Sequence, residues 1–357
     1  MTDQQPLARP SAPWMLSLDA WLADWAGSDS SRAAVARTLS QIGQACRDIA
    51  HVVAQGPLAG ALGDATGAAN ADGDAQTTLD VRANDLLRDA LAQAPVAYFA
   101  SEEEETIQTL AEDGAIAVAV DPLDGSSNIR VDVSVGTIFS LYPAKPGDPE
   151  GSLLRAGREQ LAAGYVIYGP HTALVLTVGA GVDLFVLDPR DDTFKCVKQG
   201  LAIPPTTSEF AINASNYRFW ATPVRAFVDD CLEGTEGPRQ KNFNMRWIAS
   251  MVADAHRIFT RGGVFLYPAD SRPGYSKGRL RLLYEAAPIA LLTEQAGGGA
   301  TDGMEPILDL VPDQLHARIP LIFGSREKID RIAKYHADPS LVQDVSPLFR
   351  ERGLFRK

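Results

Sequence analysis

The feature that most constrains this chain is a six-residue apolar run, Ala115-Ile-Ala-Val-Ala-Val120, that stops abruptly at Asp121-Pro-Leu-Asp124-Gly-Ser-Ser-Asn128. An apolar run with no alternating polar residues is the pattern of a strand covered on both faces. Strands of that kind belong to layered α/β architectures. A second run, Val96–Ala100, also ends on acids, in Ser101-Glu102-Glu103-Glu104-Glu105. Open α/β sheets bind their ligands at such strand ends, so two acidic clusters are expected to meet there.

The rest of the chain fits this frame. Val35, Leu39, Ile42, Cys46, Ile49 and Val53 recur at steps of three and four, predicting a helix over 31–55 behind a short N-terminal tail. Residues 56–74 are nearly all Gly, Ala, Asp and Thr, which predicts a mobile loop. A helix over 79–93 follows, then strands at 96–100, 115–120, 137–142, 164–168, 173–178 and 184–187. Two prolines in 201–208 mark a boundary. Beyond it are expected a strand end at 211–213, a helix over 247–259, a strand at 263–267, a helix over 282–295 and a strand at 321–323. The expectation is an α/β fold in two halves, 31–200 and 206–340, each a mixed sheet covered by helices.

A length of 357 residues suits one large or two ordinary domains, and 45% hydrophobic with 22% charged residues is ordinary globular composition. The formal net charge of −12 disfavours nucleic acid and anionic lipid as partners. An anionic ligand would need a local reversal of that field, for which a divalent cation is the usual device. The three cysteines have no metal-ligand spacing, and no secretory signal or membrane-length apolar run is visible, so a soluble cytoplasmic protein is expected.

Asp121 and Asp124 flank a turn set by Pro122 and Gly125, so both carboxylates can enter one pocket. Hard oxygen ligands of this kind suit Mg²⁺. The amides of Gly125, Ser126 and Ser127 offer a phosphate cradle. The same string would equally serve as a capped strand–turn–helix junction. Of the four glutamates, Ser101 and Glu104 could form a helix capping box, with Glu104 and Glu105 as solvated surface. Glu285 is embedded in the apolar stretch Leu282–Pro288; a cation, or a pair with Arg279 or Arg281, would relieve its burial. Asp74 and Asp80 flank a loop-to-helix junction, where Asp80 could simply favour a helix N-terminus. The five histidines are scattered, and no serine elbow, phosphate-binding P-loop or dinucleotide fingerprint is present.

Taken together, Asp121-Pro-Leu-Asp-Gly-Ser-Ser-Asn-Ile129 and Gly278-Arg-Leu-Arg-Leu-Leu-Tyr-Glu285 resemble the class I fructose-1,6-bisphosphatases of the lithium-sensitive, Mg²⁺-dependent sugar phosphatase superfamily. Further matching strings are Ser134–Phe139, Ser250–His256 and Gly262–Pro268, and the likeness spans about Ser31 to Phe323. The resemblance implies a layered αβαβα fold, a homotetramer and hydrolysis of the 1-phosphate of a sugar bisphosphate. It assigns Glu102, Asp121, the Leu123 carbonyl, Asp124 and Glu285 to two or three Mg²⁺ per subunit, with Mn²⁺ as a substitute. It makes Glu103 and Asp74, with Asp80, the groups that orient and deprotonate water. Asp124, Gly125, Ser126 and Ser127 would hold the 1-phosphate. Asn213, Tyr217, Tyr267, Arg279 and an Arg246 from a neighbouring subunit would hold the sugar and 6-phosphate.

Three residues depart from the family pattern: Trp247 and Arg279 stand where Tyr and Lys are common, and Arg130 where an acid is common. Ala115, Ile116 and Pro143 occupy positions used for AMP in animal members, so little AMP inhibition is expected. Alternatives are a dual fructose-1,6-/sedoheptulose-1,7-bisphosphatase and a non-catalytic sugar-phosphate-binding regulator. An inositol monophosphatase fits poorly, since Tyr284-Glu285 replaces the Trp-Asp string of its late helix.

Overall fold

The computed structural model describes residues 15–60, 65–69 and 75–338. Its N-terminal layer holds α1 (Leu18–Ala26) and α2 (Ser30–Gln55), a backbone pairing of β1 (Ala65–Ala69) with β2 (Ala75–Thr77), and α3 (Thr78–Leu91). The stretch expected to be a loop therefore carries a short 3₁₀ turn at 56–59 and an antiparallel pair, because backbone hydrogen bonding needs no bulky side chains; residues 61–64 and 70–74 lie outside the described residues.

Strands β3 (Val96–Ser101), β4 (Gln108–Thr109), β5 (Ile116–Asp124), β6 (Val135–Pro143), β7 (Ala162–Tyr168), β8 (Thr172–Thr177), β9 (Asp183–Asp188) and β10 (Thr193–Lys198) form one sheet. Their order is β10-β9-β8-β7-β6-β5-β3-β4, with β3 and β5 parallel and the other neighbours antiparallel. The short helix α4 (Pro149–Leu153) follows β6. After residue 208, β11 (Glu209–Ala211), α5 (Thr222–Glu233), β12 (Asn244–Met245), α6 (Met251–Arg261), β13 (Val264–Tyr267) and β14 (Leu280–Arg281) lead to α7 (Ala287–Gln295). Then come β15 (Gly299–Thr301), β16 (Arg318–Ile319), β17 (Leu321–Gly324) and α8 (Arg326–Ala337). The second sheet runs β12-β11-β13-β17-β15 and is mixed.

Burial of the apolar faces makes five layers. Leu39, Ile42 and Ile49 of α2, with Leu87 of α3, pack on Phe99, Val118, Val120 and Leu141 of the large sheet. Its opposite face, including Ile138, Tyr165 and Val175, meets Val252 and Phe259 of α6 and Ile289 and Leu292 of α7. The same cluster takes in Ala211, Phe265 and Phe323 of the small sheet. Phe210, Val264 and Ile322 on that sheet's far face are covered by Phe227 of α5 and Ile332 of α8. The order is α, β, α, β, α, as expected. No helix among the described residues is long and apolar enough to cross a membrane.

Several elements escape the sequence expectation, among them the helices α1, α5 and α8 and the strand β10. Leu18, Trp21, Leu22 and Trp25 bury one stripe of α1, and Ser17 caps it by accepting from the Ala20 amide at 3.3 Å. The helix expected over 247–259 begins only at Met251, because Ala249 has φ +67°, outside helical space.

Candidate active site

The site begins with a parity problem. Ala117 and Ala119 of β5 face Leu283 and Tyr284, and Asp121 continues that face; Asp124 would point the opposite way in a regular strand. The ladder solves this. Asp121 pairs with Ile138 and Asp124 with Gly136, so three steps on β5 match two on β6. The extra residue is a β-bulge, which re-aims the next side chain. Pro122, which cannot donate to the ladder, sits in the bulge, and its carbonyl accepts from the Thr137 hydroxyl at 2.8 Å. Thr137 in turn meets the Tyr168 hydroxyl at 2.8 Å. The Asp121 carboxylate accepts from the Leu123 amide at 3.0 Å, closing the turn. The strand thus runs to Asp124 rather than ending at Val120.

Glu285 enters from the other half of the chain. The helix expected over 282–295 is α-helical only from Ala287; Leu282–Ala286 is a π-turn, a form enriched at functional positions. There the Glu285 carboxylate accepts from the Arg281 amide, and the Arg281 charge, one of the two partners considered from sequence, also acts on it. The Arg281 guanidinium lies 2.8 Å from Glu102 Oε1. Ligand oxygens of Asp121, Asp124 and Glu285 lie within 4.8 Å of one another, and all three residues are buried.

This concentration of buried negative charge displaces titration. Burial, then the charges of Glu102, Asp124 and Glu285, push the Asp121 carboxyl well above the usual carboxylate range. Glu285 moves the same way, from burial and then Glu102, with Arg281 opposing. Asp124 is pushed up to about 7 by burial, against the Val252 amide, which donates to it at 2.9 Å. That amide belongs to the first turn of α6, whose positive end stabilises the ionised form. Buried hard oxygen donors that repel one another fit a hard divalent cation, whose charge would remove the conflict.

Glu102 is buried at the end of β3, its amide donating to the Val120 carbonyl at 3.0 Å. No helix starts at Ser101, so the expected capping box is absent; the Ser101 hydroxyl accepts from the Glu103 amide at 3.2 Å within a turn. Glu103 is half-buried and Glu105 exposed. Glu104 is more than solvated surface: it accepts from Asn84 Nδ2 at 2.7 Å and Gln108 Nε2 at 2.5 Å, clamping the acidic turn to α3. Asp80 is buried at N3 of α3 in a capping box with Thr77, whose amide donates to it at 2.6 Å. Burial raises the Asp80 carboxyl, and the Thr77 and Ser126 hydrogen bonds oppose that rise. Asp74 lies outside the described residues.

Gly125 adopts φ +77°, a conformation open to glycine, and starts the 3₁₀ turn Ser126–Val131. Ser126 is half-buried and Ser127 exposed. Asn128 ties this turn to the Ala249 carbonyl at 2.8 Å. Farther out, Asn213, Trp247, Tyr267 and Asp270 line a small, shallow cleft. Asn213 caps its own turn, accepting from the Ser215 amide at 3.2 Å. The Tyr217 hydroxyl donates to Asp229 at 2.9 Å. Arg279 Nη1 donates to the Tyr275 hydroxyl at 3.1 Å. Arg246 is exposed and 3.9 Å from Glu209.

Comparison with known proteins fits this geometry. The profile described as "Fructose-1-6-bisphosphatase, N-terminal domain" matches residues 25–199, and its C-terminal counterpart matches 203–337. A fructose-1,6-bisphosphatase class 1 of Rhodopseudomonas palustris (strain BisB18) is 55% identical over 96% of this chain and 98% of its own length. The chain belongs to the class 1 fructose-1,6-bisphosphatase family. A second class 1 fructose-1,6-bisphosphatase, from Xanthobacter autotrophicus (strain ATCC BAA-1158 / Py2), is 52% identical over 99% of this chain and 96% of its own length. The holo-form crystal structure of the Leishmania major fructose-1,6-bisphosphatase superposes with a TM-score of 0.84 at 33% identity, covering 91% of this chain and all of that one. Within this family member, Thr137, Gly136 and the Val252 amide shape the site without having been named as site residues, although they lie within the matching strings 134–139 and 250–256. Arg281, considered from sequence only as a partner of Glu285, also meets Glu102.

Proposed function

We infer that this enzyme hydrolyses the 1-phosphate of fructose 1,6-bisphosphate, giving fructose 6-phosphate and phosphate. The observation that carries the reading is the β5 bulge, which turns Asp124 onto the same face as Asp121, opposite Glu285 and next to the Gly125–Ser127 turn. Glu102, Asp121, the Leu123 carbonyl, Asp124 and Glu285 would hold two or three Mg²⁺, with Mn²⁺ as a substitute. When bound, such cations supply charge neutralisation and Lewis-acid assistance.

The chain's own groups then do the positioning on which in-line phosphoryl transfer depends. Gly125, Ser126 and Ser127 present amides and hydroxyls to the phosphate undergoing attack. Glu103 and Asp80, together with Asp74 from outside the described residues, orient the attacking water and accept its proton. As water's oxygen bonds to phosphorus, the bond from phosphorus to the C1 oxygen breaks and that oxygen regains a proton. Asn213, Tyr217, Tyr267 and Arg279 hold the sugar and its distal phosphate. Arg246 serves a neighbouring subunit of a homotetramer. In support of that role, Met245 and Ile248 on either side of it expose apolar side chains. A cytoplasmic location and a division into domains at 31–200 and 206–340 belong to the same reading.

The test is phosphate release from fructose 1,6-bisphosphate by the purified chain. Turnover should require Mg²⁺, stop on chelation, and fall at least about a thousand-fold in Asp121→Asn, which keeps the size of the natural side chain and removes its charge. An Asp121→Asn enzyme with Mg²⁺-dependent rates near wild type would overturn the site.

A further inference from the structure

Residues 268–279 fold back beside the distal end of the site and carry charge that the reading above leaves unused. The Asp270 amide donates to the Tyr275 carbonyl at 3.2 Å, and the Gly278 amide donates to that same carbonyl at 3.0 Å. Gly274 and Gly278 both adopt φ +79°, closing the loop into a compact unit. The Ser271 amide donates to the Phe219 carbonyl at 3.0 Å, which ties the loop to the turn containing Tyr217. Asp270 shares the lining of the small cleft with Asn213 and Tyr267. The loop therefore forms part of that cleft's rim.

Three side chains on this loop are stacked. The Arg272 guanidinium carbon lies 3.9 Å from the Tyr275 ring centroid, and that of Arg279 lies 5.0 Å from it. Arg272 is fixed by Asp270, its Nε donating to Oδ1 at 3.0 Å. Arg279 Nη1 donates to the Tyr275 hydroxyl at 3.1 Å. A phenol that accepts from a guanidinium keeps its own proton for a second acceptor. Both Arg272 and Arg279 also lie close enough to Tyr267 to act on its hydroxyl electrostatically. Two guanidiniums, one of them charge-paired with Asp270, and a phenolic donor gather N–H and O–H groups at one rim of a molecule of net charge −12, a local set of donors for an anion.

Granted the distal-phosphate reading of the preceding subsection, we propose that Tyr275 and Arg272 are further specificity-determining contacts to that phosphate. Tyr275 holds the Arg279 fork in place and donates its hydroxyl proton to a phosphate oxygen. Arg272 adds guanidinium N–H donors, its pairing with Asp270 offsetting its charge and setting the orientation of the fork.

The experiment compares fructose 1,6-bisphosphate with fructose 1-phosphate, which has the scissile group and no distal phosphate. Tyr275→Phe should raise KM for the bisphosphate about ten-fold more than for fructose 1-phosphate, with kcat changing less than about two-fold. Arg272→Gln should act in the same direction, and Arg272→Lys should recover part of the loss by keeping the charge. Calorimetric binding of fructose 6-phosphate to the Mg²⁺-loaded enzyme should weaken by the same factor. Equal effects on both sugars, or an unchanged KM and unchanged fructose 6-phosphate binding in Tyr275→Phe, would overturn the proposal. A wild-type protein inert toward the bisphosphate would instead remove the functional reading, while fructose 6-phosphate binding would still test Tyr275.

Discussion

Under the proposed metal assignment, Asp124 couples proton and cation at the smallest scale. Its folded carboxyl titrates near 7, raised by burial against the Val252 amide, whereas an unfolded aspartate titrates near about 3.9. Between those values the metal-free folded state carries a proton that the unfolded chain has lost. Stability without metal therefore falls as pH rises from about 4 to 7, by up to about 1.4 kcal/mol per pH unit for this group. Asp121 and Glu285 are displaced in the same direction and add to the decline. A cation must displace these protons, so its affinity gains as pH rises. The Mg²⁺ concentration for half-maximal activity should drop about ten-fold or more between pH 6 and pH 8 at saturating substrate. A midpoint that stays constant over that range would separate these carboxylates from metal binding.

At the scale of elements, the decisive contact is between β6 and α6. Gly136 is the ladder partner of Asp124, and a Cβ there would lie 2.3 Å from the Val166 carbonyl oxygen and 2.7 Å from Val252 Cγ2. Val252 is also the residue whose amide meets Asp124. Gly136→Ala must push α6 or β7 away, at about 1–3 kcal/mol of overpacking. Both the denaturant midpoint and the apparent Mg²⁺ affinity should fall; a variant matching wild type in both would show that α6 does not set the Asp124 position. None of this closeness is written in the string of residues around 136. The run 115–120 and its acidic end were legible because a buried strand has one composition and a ligand turn another. The bulge was not, since Pro122 signals a break without saying which way the next side chain faces. The stripe Leu18, Trp21, Leu22 and Trp25 was legible in principle, at the same helical spacing that revealed α2, but stood next to a polar, proline-rich start that masked it. Glu104 failed for another reason: an exposed acid and one clamping Asn84 to Gln108 look alike until partners from α3 and β4 are placed.

On the scale of the whole molecule, the site is where two sheets and their shared helical layer converge. Asp121 and Asp124 come from the large sheet, and Glu285 from the turn leading into α7, which packs between the sheets. The buried Arg281–Glu102 pair bridges the same junction. Without a cation, ionised carboxylates from the two halves repel across a buried seam; a cation held as proposed would turn that seam into a cross-link. Mg²⁺ should thus stabilise folding as well as chemistry, by about 2.7 kcal/mol at a concentration one hundred times its dissociation constant. Thermal unfolding at pH 8 should shift upward by several degrees on adding Mg²⁺. Glu285→Gln should remove most of that shift. Because the amide carries no charge to bury, the same variant without metal should unfold at or above the temperature of metal-free wild type. Activity alone would not separate a lost ligand from a lost fold, but these two melting curves move in opposite directions. If Mg²⁺ left the wild-type transition in place, or if metal-free Glu285→Gln melted well below wild type, then Glu285 would be supporting the interior by packing and hydrogen bonding rather than joining the halves through an ion.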